Sequence, residues 1–389
     1  MSLTSCSKKV IEFFKTHSCL YEFPFLTKKS ISFLFVLFDH FKKSKEYIKT
    51  LKIESSVEQT IPMPKTFSSD SIEDNVKKEI HRQLKYVYVY KTVFMGREIV
   101  LYFCSPTKKN YQKEVEFILM WLYVLNIYSP KHCATKLTVY LYLTSLSKKI
   151  PHSKSIVLDK CHINTAFTYS CPTNAEIVLY RKEEWMKVFL HETFHTFGLD
   201  FSGIKQTNIN EFVKEHFSIE IDACLYESYT EFWGEVIHMV FLSYYLKPND
   251  KSHFLQTFLY ILTIEINHTL LQVSKILHHM DLHYLHFINK QAMLKYKENT
   301  PVFSYFVIKS ILLFHFNDFI HWCIENNSGN IIHFSKKNIT LQNYLHFIKK
   351  YYNKREYIEE LNKYHDLYKK INTSFMKTHL RMCAFEFIF

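Results

Sequence analysis

"VFLHETFHTFG", Val188 to Gly198, is the stretch whose spacing organises the rest of the chain. It carries His191, Glu192 and His195 in the order H-E-x-x-H, with no proline inside it. On a helix, residues four apart lie one above the other on the same face. The two imidazoles can therefore offer a nitrogen each to one Zn2+ at about 2.0–2.1 Å. Glu192 is turned about 100° from His191, which directs its carboxylate at a metal-held water rather than at the metal. Zinc lowers the pKa of such a water towards about 7, and the carboxylate takes its proton as a carbonyl is attacked. The plainer alternative is a pair of hydrogen-bonded core histidines.

Two histidines and a water leave one protein ligand to find. Asp200 lies five residues past His195, and the next position is Phe201, which cannot ligate. Further on, "YESYTEFWGEVIHMV" (residues 226–240) repeats a glutamate every four residues, at Glu227, Glu231 and Glu235. That spacing puts all three on one face of a helix. A row of carboxylates along an otherwise apolar helix is costly unless something positive neutralises it. Solvated surface glutamates are the alternative; Phe232, Trp233, Val236, Met239 and Val240 argue instead for a buried helix.

Around this centre the pattern is α+β. "KYVYVYKTVFMGREIVLYF" (residues 85–103) alternates and reads as a hairpin turning near Gly96. Glu114 to Tyr128 reads as a buried helix. "KLTVYLYLT" (136–144), "HINTAFTY" (162–169) and "AEIVLY" (175–180) read as strands. Helices are expected from about Glu183 to Phe197 and from about Asp222 to Leu246, with almost wholly helical sequence beyond Pro248. Residues 1–50 also look helical, and the polar stretch 52–76 reads as a linker. The expected organisation is an N-terminal helical region and linker (1–80), a central domain of small mixed sheet plus the H-E-x-x-H helix (81–250), and a C-terminal helical domain (251–389).

These residues resemble a zincin metallopeptidase of the gluzincin type, in which a glutamate on a downstream helix completes the zinc site. The nearest pattern is that of anthrax lethal-factor-like catalytic domains, where the ligand glutamate is followed by two aromatics, a small residue and a second glutamate. "EFWGE", Glu231 to Glu235, is similar in type. The resemblance implies Glu231 as zinc ligand and Glu235 as the carboxylate orienting a ligating histidine. In the alternative register, "ESYTE", Glu227 is the ligand and Glu231 its partner. It also implies a substrate-binding edge strand, for which "HINTAFTY" is placed, and an oxyanion-stabilising tyrosine. Tyr229 and Tyr226 are the nearby candidates for that role, with Tyr229 taken as catalytic, although neither has the family's spacing. The segment is also similar to uncharacterised zincin-like proteins of large DNA viruses. The resemblance covers roughly residues 136–246 and not the flanks.

Composition narrows the alternatives. Among 389 residues only five are glycine, which excludes a P-loop or a dinucleotide fingerprint. Three of the five, Gly198, Gly203 and Gly234, fall around the proposed centre. Gly198 suits a left-handed cap, and Gly234, inside a helix, implies a close neighbour. The formal charge is +12, carried by residues 1–85 (+5) and 251–389 (+7) while the middle is neutral. Those basic flanks suit an anionic partner such as nucleic acid, or are simply solvated faces. Nine cysteines without paired spacing point to a reducing intracellular compartment, host cytoplasm or a virion if the source is viral, with no disulfide expected at Cys161 or Cys171. No apolar run is long enough to span a bilayer. His279, His283 and His286 are read as positions on an amphipathic helix rather than a second metal site.

The expectation is a zinc-dependent peptidase acting on a peptide or protein, with His191, His195 and Glu231 on Zn2+ and Glu192 as general base. The alternative is a non-catalytic, zinc-stabilised viral structural or interaction protein.

Overall fold

Val87 and Val89 alternate with Tyr86, Tyr88 and Tyr90, so the valines are buried while the tyrosines stay half-exposed. This period of two makes a strand that covers a core on one face. A computed structural model describes residues 2–17, 21–65, 72–205, 207–246 and 249–388. Its strands are β1 (Ser2–Leu3), β2 (Glu54–Glu58), β3 (Tyr86–Phe94), β4 (Arg97–Ser105), β5 (Lys136–Tyr142), β6 (Ala166–Thr168), β7 (Asn174–Leu179) and β8 (Phe387–Ile388). Six form a mixed sheet in the order β2-β3-β4-β5-β7-β6. The middle strands β4, β5 and β7 run parallel, and β2, β3 and β6 are antiparallel to their neighbours.

The hairpin β3–β4 turns on Met95 and Gly96, at φ +48° and +81°. Two positive φ values in a two-residue loop match the right-handed twist of the flanking strands. From β4 the chain crosses to β5 through the helix Gln112–Tyr128, whose apolar residues are buried nearly all round. As expected for a central parallel strand, β5 is an almost continuous apolar run. At the far edge lies β6, short and paired on one side only, with β7. "HINTAFTY" is thus an edge strand only over residues 166–168; its first residues belong to a short helix, Lys160–Ile163.

One face of the sheet carries the helix Trp185–Thr196, here the motif helix, and behind it Leu225–Leu246, the carboxylate helix. Trp121 Nε1 of the crossover helix donates to Thr193 Oγ1 at 2.7 Å, locking the motif helix from beneath. The N-terminal helix Lys28–Ile48 packs on the carboxylate helix through Phe33 against Trp233 and Phe41 against Phe241. Asp74–Gln83 covers the opposite face of the sheet with Val76 and Ile80.

Two expectations change. The stretch 52–76 is not only a linker, because Glu54–Glu58 pairs with β3 as the outermost strand; residues 66–71 within it lie outside the described residues. The three regions drawn at 1–80, 81–250 and 251–389 share one hydrophobic core running from Val10 to Phe387. The ends of the chain even pair with one another, β1 with β8. Among the described residues no single helix is long and apolar enough to cross a membrane.

Candidate metal centre

The motif helix ends where its glycine stands. Gly198, at φ +67°, donates its N–H to His195 O (2.9 Å), and Leu199 N–H reaches back to Phe194 O (2.8 Å). This pair of bonds is the left-handed stop that glycine permits. It leaves His191 and His195 in the last two turns, side by side. Gly234 of the carboxylate helix lies against them: a Cβ there would meet His191 N, Cα and Cβ at 3.3 Å. Close crossing of the two helices is thus what the in-helix glycine permits, as its position in the sequence implied.

At that crossing three donor atoms converge. His191 Nε2 and His195 Nε2 are 3.2 Å apart, and Glu227 Oε2 is 3.1 Å from the first and 3.3 Å from the second. Ligands arranged tetrahedrally at about 2.0–2.1 Å from an ion stand about 3.3–3.4 Å from one another. The triangle therefore has nearly the edge a zinc site needs. Glu227 Oε2 is buried and makes no well-formed hydrogen bond. A buried carboxylate oxygen in that condition is costly unless a cation completes it. Two imidazole nitrogens and one carboxylate oxygen form a donor set that suits Zn2+. Among the described residues no fourth His, Cys, Asp or Glu joins this group.

Each histidine is held from behind. Glu231 Oε2 lies 2.9 Å from His191 Nδ1. Asp200 Oδ2 pairs with His195 Nδ1, while Asp200 Oδ1 accepts from Ser202 N (3.1 Å) and Ser202 Oγ (2.8 Å). Asp200 is hydrogen-bonded to His195 Nδ1, whereas Glu231 stands beside His191 Nδ1 without a well-formed hydrogen bond; a carboxylate at Nδ1 favours the tautomer that leaves Nε2 free to ligate. The group that could hold a metal thus contains Glu227 where Glu231 was expected, and the arrangement follows the "ESYTE" register. Asp200, weighed as a ligand, lies instead behind His195, on its Nδ1.

The rest of the carboxylate row has its own partners. Glu231 Oε1 pairs with Lys187 Nζ. Glu235 does not orient a histidine; its Oε2 accepts from Lys309 Nζ at 2.6 Å, and Lys309 also donates to Thr269 Oγ1 at 2.9 Å. The cost of three carboxylates on one buried face is met by a cation opposite the second and another opposite the third, with the triangle at the first.

Burial alone would lower the pKa of both histidines; the carboxylates of Glu227 and Glu231 raise that of His191, and those of Glu227 and Asp200 raise that of His195 well above the usual range. Burial would raise the Glu227 carboxyl, but His195 and His191 hold it down at about 2. Glu192 moves the other way: desolvation pushes its pKa up, with the two histidines opposing. Among the described residues it has no short salt bridge, and it lines a cleft with His191, Thr165, Ala166, Tyr305 and Met382. His191, Glu192 and His195 are only 6–8% exposed, and about 30 Å³ of the cleft admits water.

Tyr229 is corrected. Its hydroxyl accepts from Asn327 Nδ2 at 2.9 Å, and its ring packs among Phe201, Phe334 and Tyr344, away from the cleft. Tyr226 stands with its ring edge-on, 5.9 Å from that of His195. The tyrosine on the cleft is Tyr305, 6.0 Å ring to ring from His191. Burial and the charges of Glu227, Glu192 and Glu231 push its pKa well up, so it stays a hydrogen-bond donor. It sits in a π-helical segment, Phe303–Ile308, a geometry that recurs at functional sites. Nothing in "PVFSYFVIKS" marks it out from core aromatics. Lys187 left one signal, its place four residues before His191 on the same helix face.

Two further readings change. Cys171 is disulfide-bonded to Cys133, 38 residues away, whereas Cys161 is free. The bridge packs on Gly198, and Cys171 N donates to His195 O at 3.0 Å. His279, His283 and His286 do not share a helix, because the long helix ends at His279. They form no metal-ligating group among the described residues.

No family model, curated protein or solved structure matches the chain.

Proposed function

We propose that the protein is a zinc-dependent peptidase whose metal is held by His191, His195 and Glu227. The observation that carries this reading is the triangle of two Nε2 atoms and one Oε2 with edges of 3.1–3.3 Å, backed on both imidazoles by carboxylates. Zinc bound there supplies Lewis acidity, activating water and polarising a carbonyl. Glu192 accepts the proton of the attacking water and passes it to the departing amine. Its position next to His191, desolvated and without a lysine or arginine partner among the described residues, leaves it available for both transfers. Tyr305 donates to the carbonyl oxygen as negative charge develops there. Strand β6, open along one side, orders an extended peptide by backbone hydrogen bonds beside the motif helix.

One observation favours a second reading, a zinc-stabilised structural or interaction protein: the cleft is narrow for a peptide. Metal analysis of wild type and Glu192→Gln, with a peptide-library cleavage assay, separates the two. A peptidase keeps one zinc in Glu192→Gln and loses cleavage. A zinc-stabilised structural protein keeps the zinc in both and cleaves nothing in either.

A further inference from the structure

The carboxylate row offers two glutamates, one turn apart, to the same pair of histidines. Glu227 and Glu231 both lie within reach of His191, at 3.1 Å from Nε2 and 2.9 Å from Nδ1. Sequence spacing allows either to ligate. What separates them in space is Lys187. It stands one turn before His191 on the motif helix, is 1% exposed, and pairs through Nζ with Glu231 Oε1. Its Nζ also lies 3.8 Å from Met382 Sδ, and the charges of Glu184 and Glu235 are near. Glu231 is 1% exposed and so is shielded from bulk solvent.

We infer that Lys187 is a positioning residue that fixes the ligand register of this centre, which rests on the metal reading above. Tied to Lys187, Glu231 has one oxygen left, and that oxygen faces His191 Nδ1. It therefore orients the histidine and does not compete with Glu227 for the ion. The motif helix supplies both members of the device: Lys187, which holds the glutamate, and His191, which the glutamate holds. Spacing of four puts them on one face. The consequence is a ligand pattern extended upstream, K-x-x-x-H-E-x-x-H, whose lysine works with the second glutamate of E-x-x-x-E.

The test compares wild type, Lys187→Met, Lys187→Arg, Glu231→Gln and the double variant Lys187→Met/Glu231→Gln. Zinc affinity is measured by chelator competition, the coordination sphere by visible absorption of the Co2+-substituted protein, and folding by thermal melting. Lys187→Met is expected to weaken zinc binding about 10–100-fold and to change the cobalt spectrum, as loss of an outer partner does. Lys187→Arg, which keeps the charge opposite Glu231, is expected to lose less affinity than Lys187→Met. In the Glu231→Gln background, Lys187→Met is expected to change affinity less than about twofold, because its effect runs through Glu231. The double variant strands no buried charge, so this comparison decides the matter if Lys187→Met alone does not fold. A folded Lys187→Met with wild-type affinity and spectrum overturns the inference, and so does an equal loss in both backgrounds. Wild type that takes up no zinc refutes the metal reading instead.

Discussion

Glu231 Oε2 lies 2.9 Å from Nδ1 of His191, so the ring presents its other nitrogen to Glu227. Asp200 does the same for His195. Neither carboxylate needs to touch the metal to matter. Glu231→Gln and Asp200→Asn are each expected to keep one zinc per chain but bind it about 10–100-fold more weakly. Chelator competition on the folded variants measures this, and unchanged affinity in both would show that the rings need no such support.

The metal-free centre is charged in a particular sense. Burial opposes protonation of both imidazoles, but their carboxylate neighbours outweigh it and raise both pKa values. Zinc takes neutral imidazole, so uptake near pH 6 is expected to release protons, with the number falling as pH rises. Calorimetry in buffers of different ionisation enthalpy reads the count. The linked stability has a definite sign. A histidine raised in the folded state stabilises fully below its unfolded value of about 6.5. That contribution is lost as pH rises through the folded value. The metal-free protein should therefore lose stability above neutral pH just where zinc binds it more tightly.

Tyr305→Phe removes a donor from the cleft and leaves the metal ligands alone. Zinc content and melting temperature are expected to stay at wild type while kcat falls about 100- to 1,000-fold, the usual loss for one oxyanion donor. Tyr229→Phe, changed in the aromatic core instead, should leave kcat near wild type. The reverse pattern would return the catalytic role to Tyr229.

Gly234→Ala pits helix propensity against packing. Alanine improves the helix by about 1 kcal/mol. Its Cβ, however, would meet the backbone and Cβ of His191 at 3.3 Å, and backbone cannot swing aside. Separation of the two helices is expected to cost about 1–3 kcal/mol, as overpacking does. The melting temperature should fall and zinc affinity with it. A stabilised protein with full zinc affinity would mean that the crossing is looser than the contact distances indicate.

Much of this was legible because the relevant signals are local. His191, Glu192 and His195 follow from four-residue spacing, the hairpin from alternation around Met95 and Gly96, and the close helix crossing from a glycine where a helix resists one. The order of Glu227 and Glu231 was not legible. Both fit the spacing, and what separates them is Lys187 on the facing helix, a contact 44 residues away. Tyr305 was invisible for a related reason: it reaches the cleft from beyond residue 300, in a stretch whose aromatics look alike. The disulfide joins Cys133 to Cys171 in the loops that lead into β5 and β7, adjacent strands that only the folded chain brings together.

Zinc stoichiometry of Glu227→Gln after exhaustive dialysis, set beside wild type and Glu231→Gln, bears on the ligand triangle without any assumption about substrate. One zinc is expected in wild type and in Glu231→Gln, and none in folded Glu227→Gln. A full zinc in Glu227→Gln with none in Glu231→Gln would contradict the assignment and restore Glu231 as the ligand.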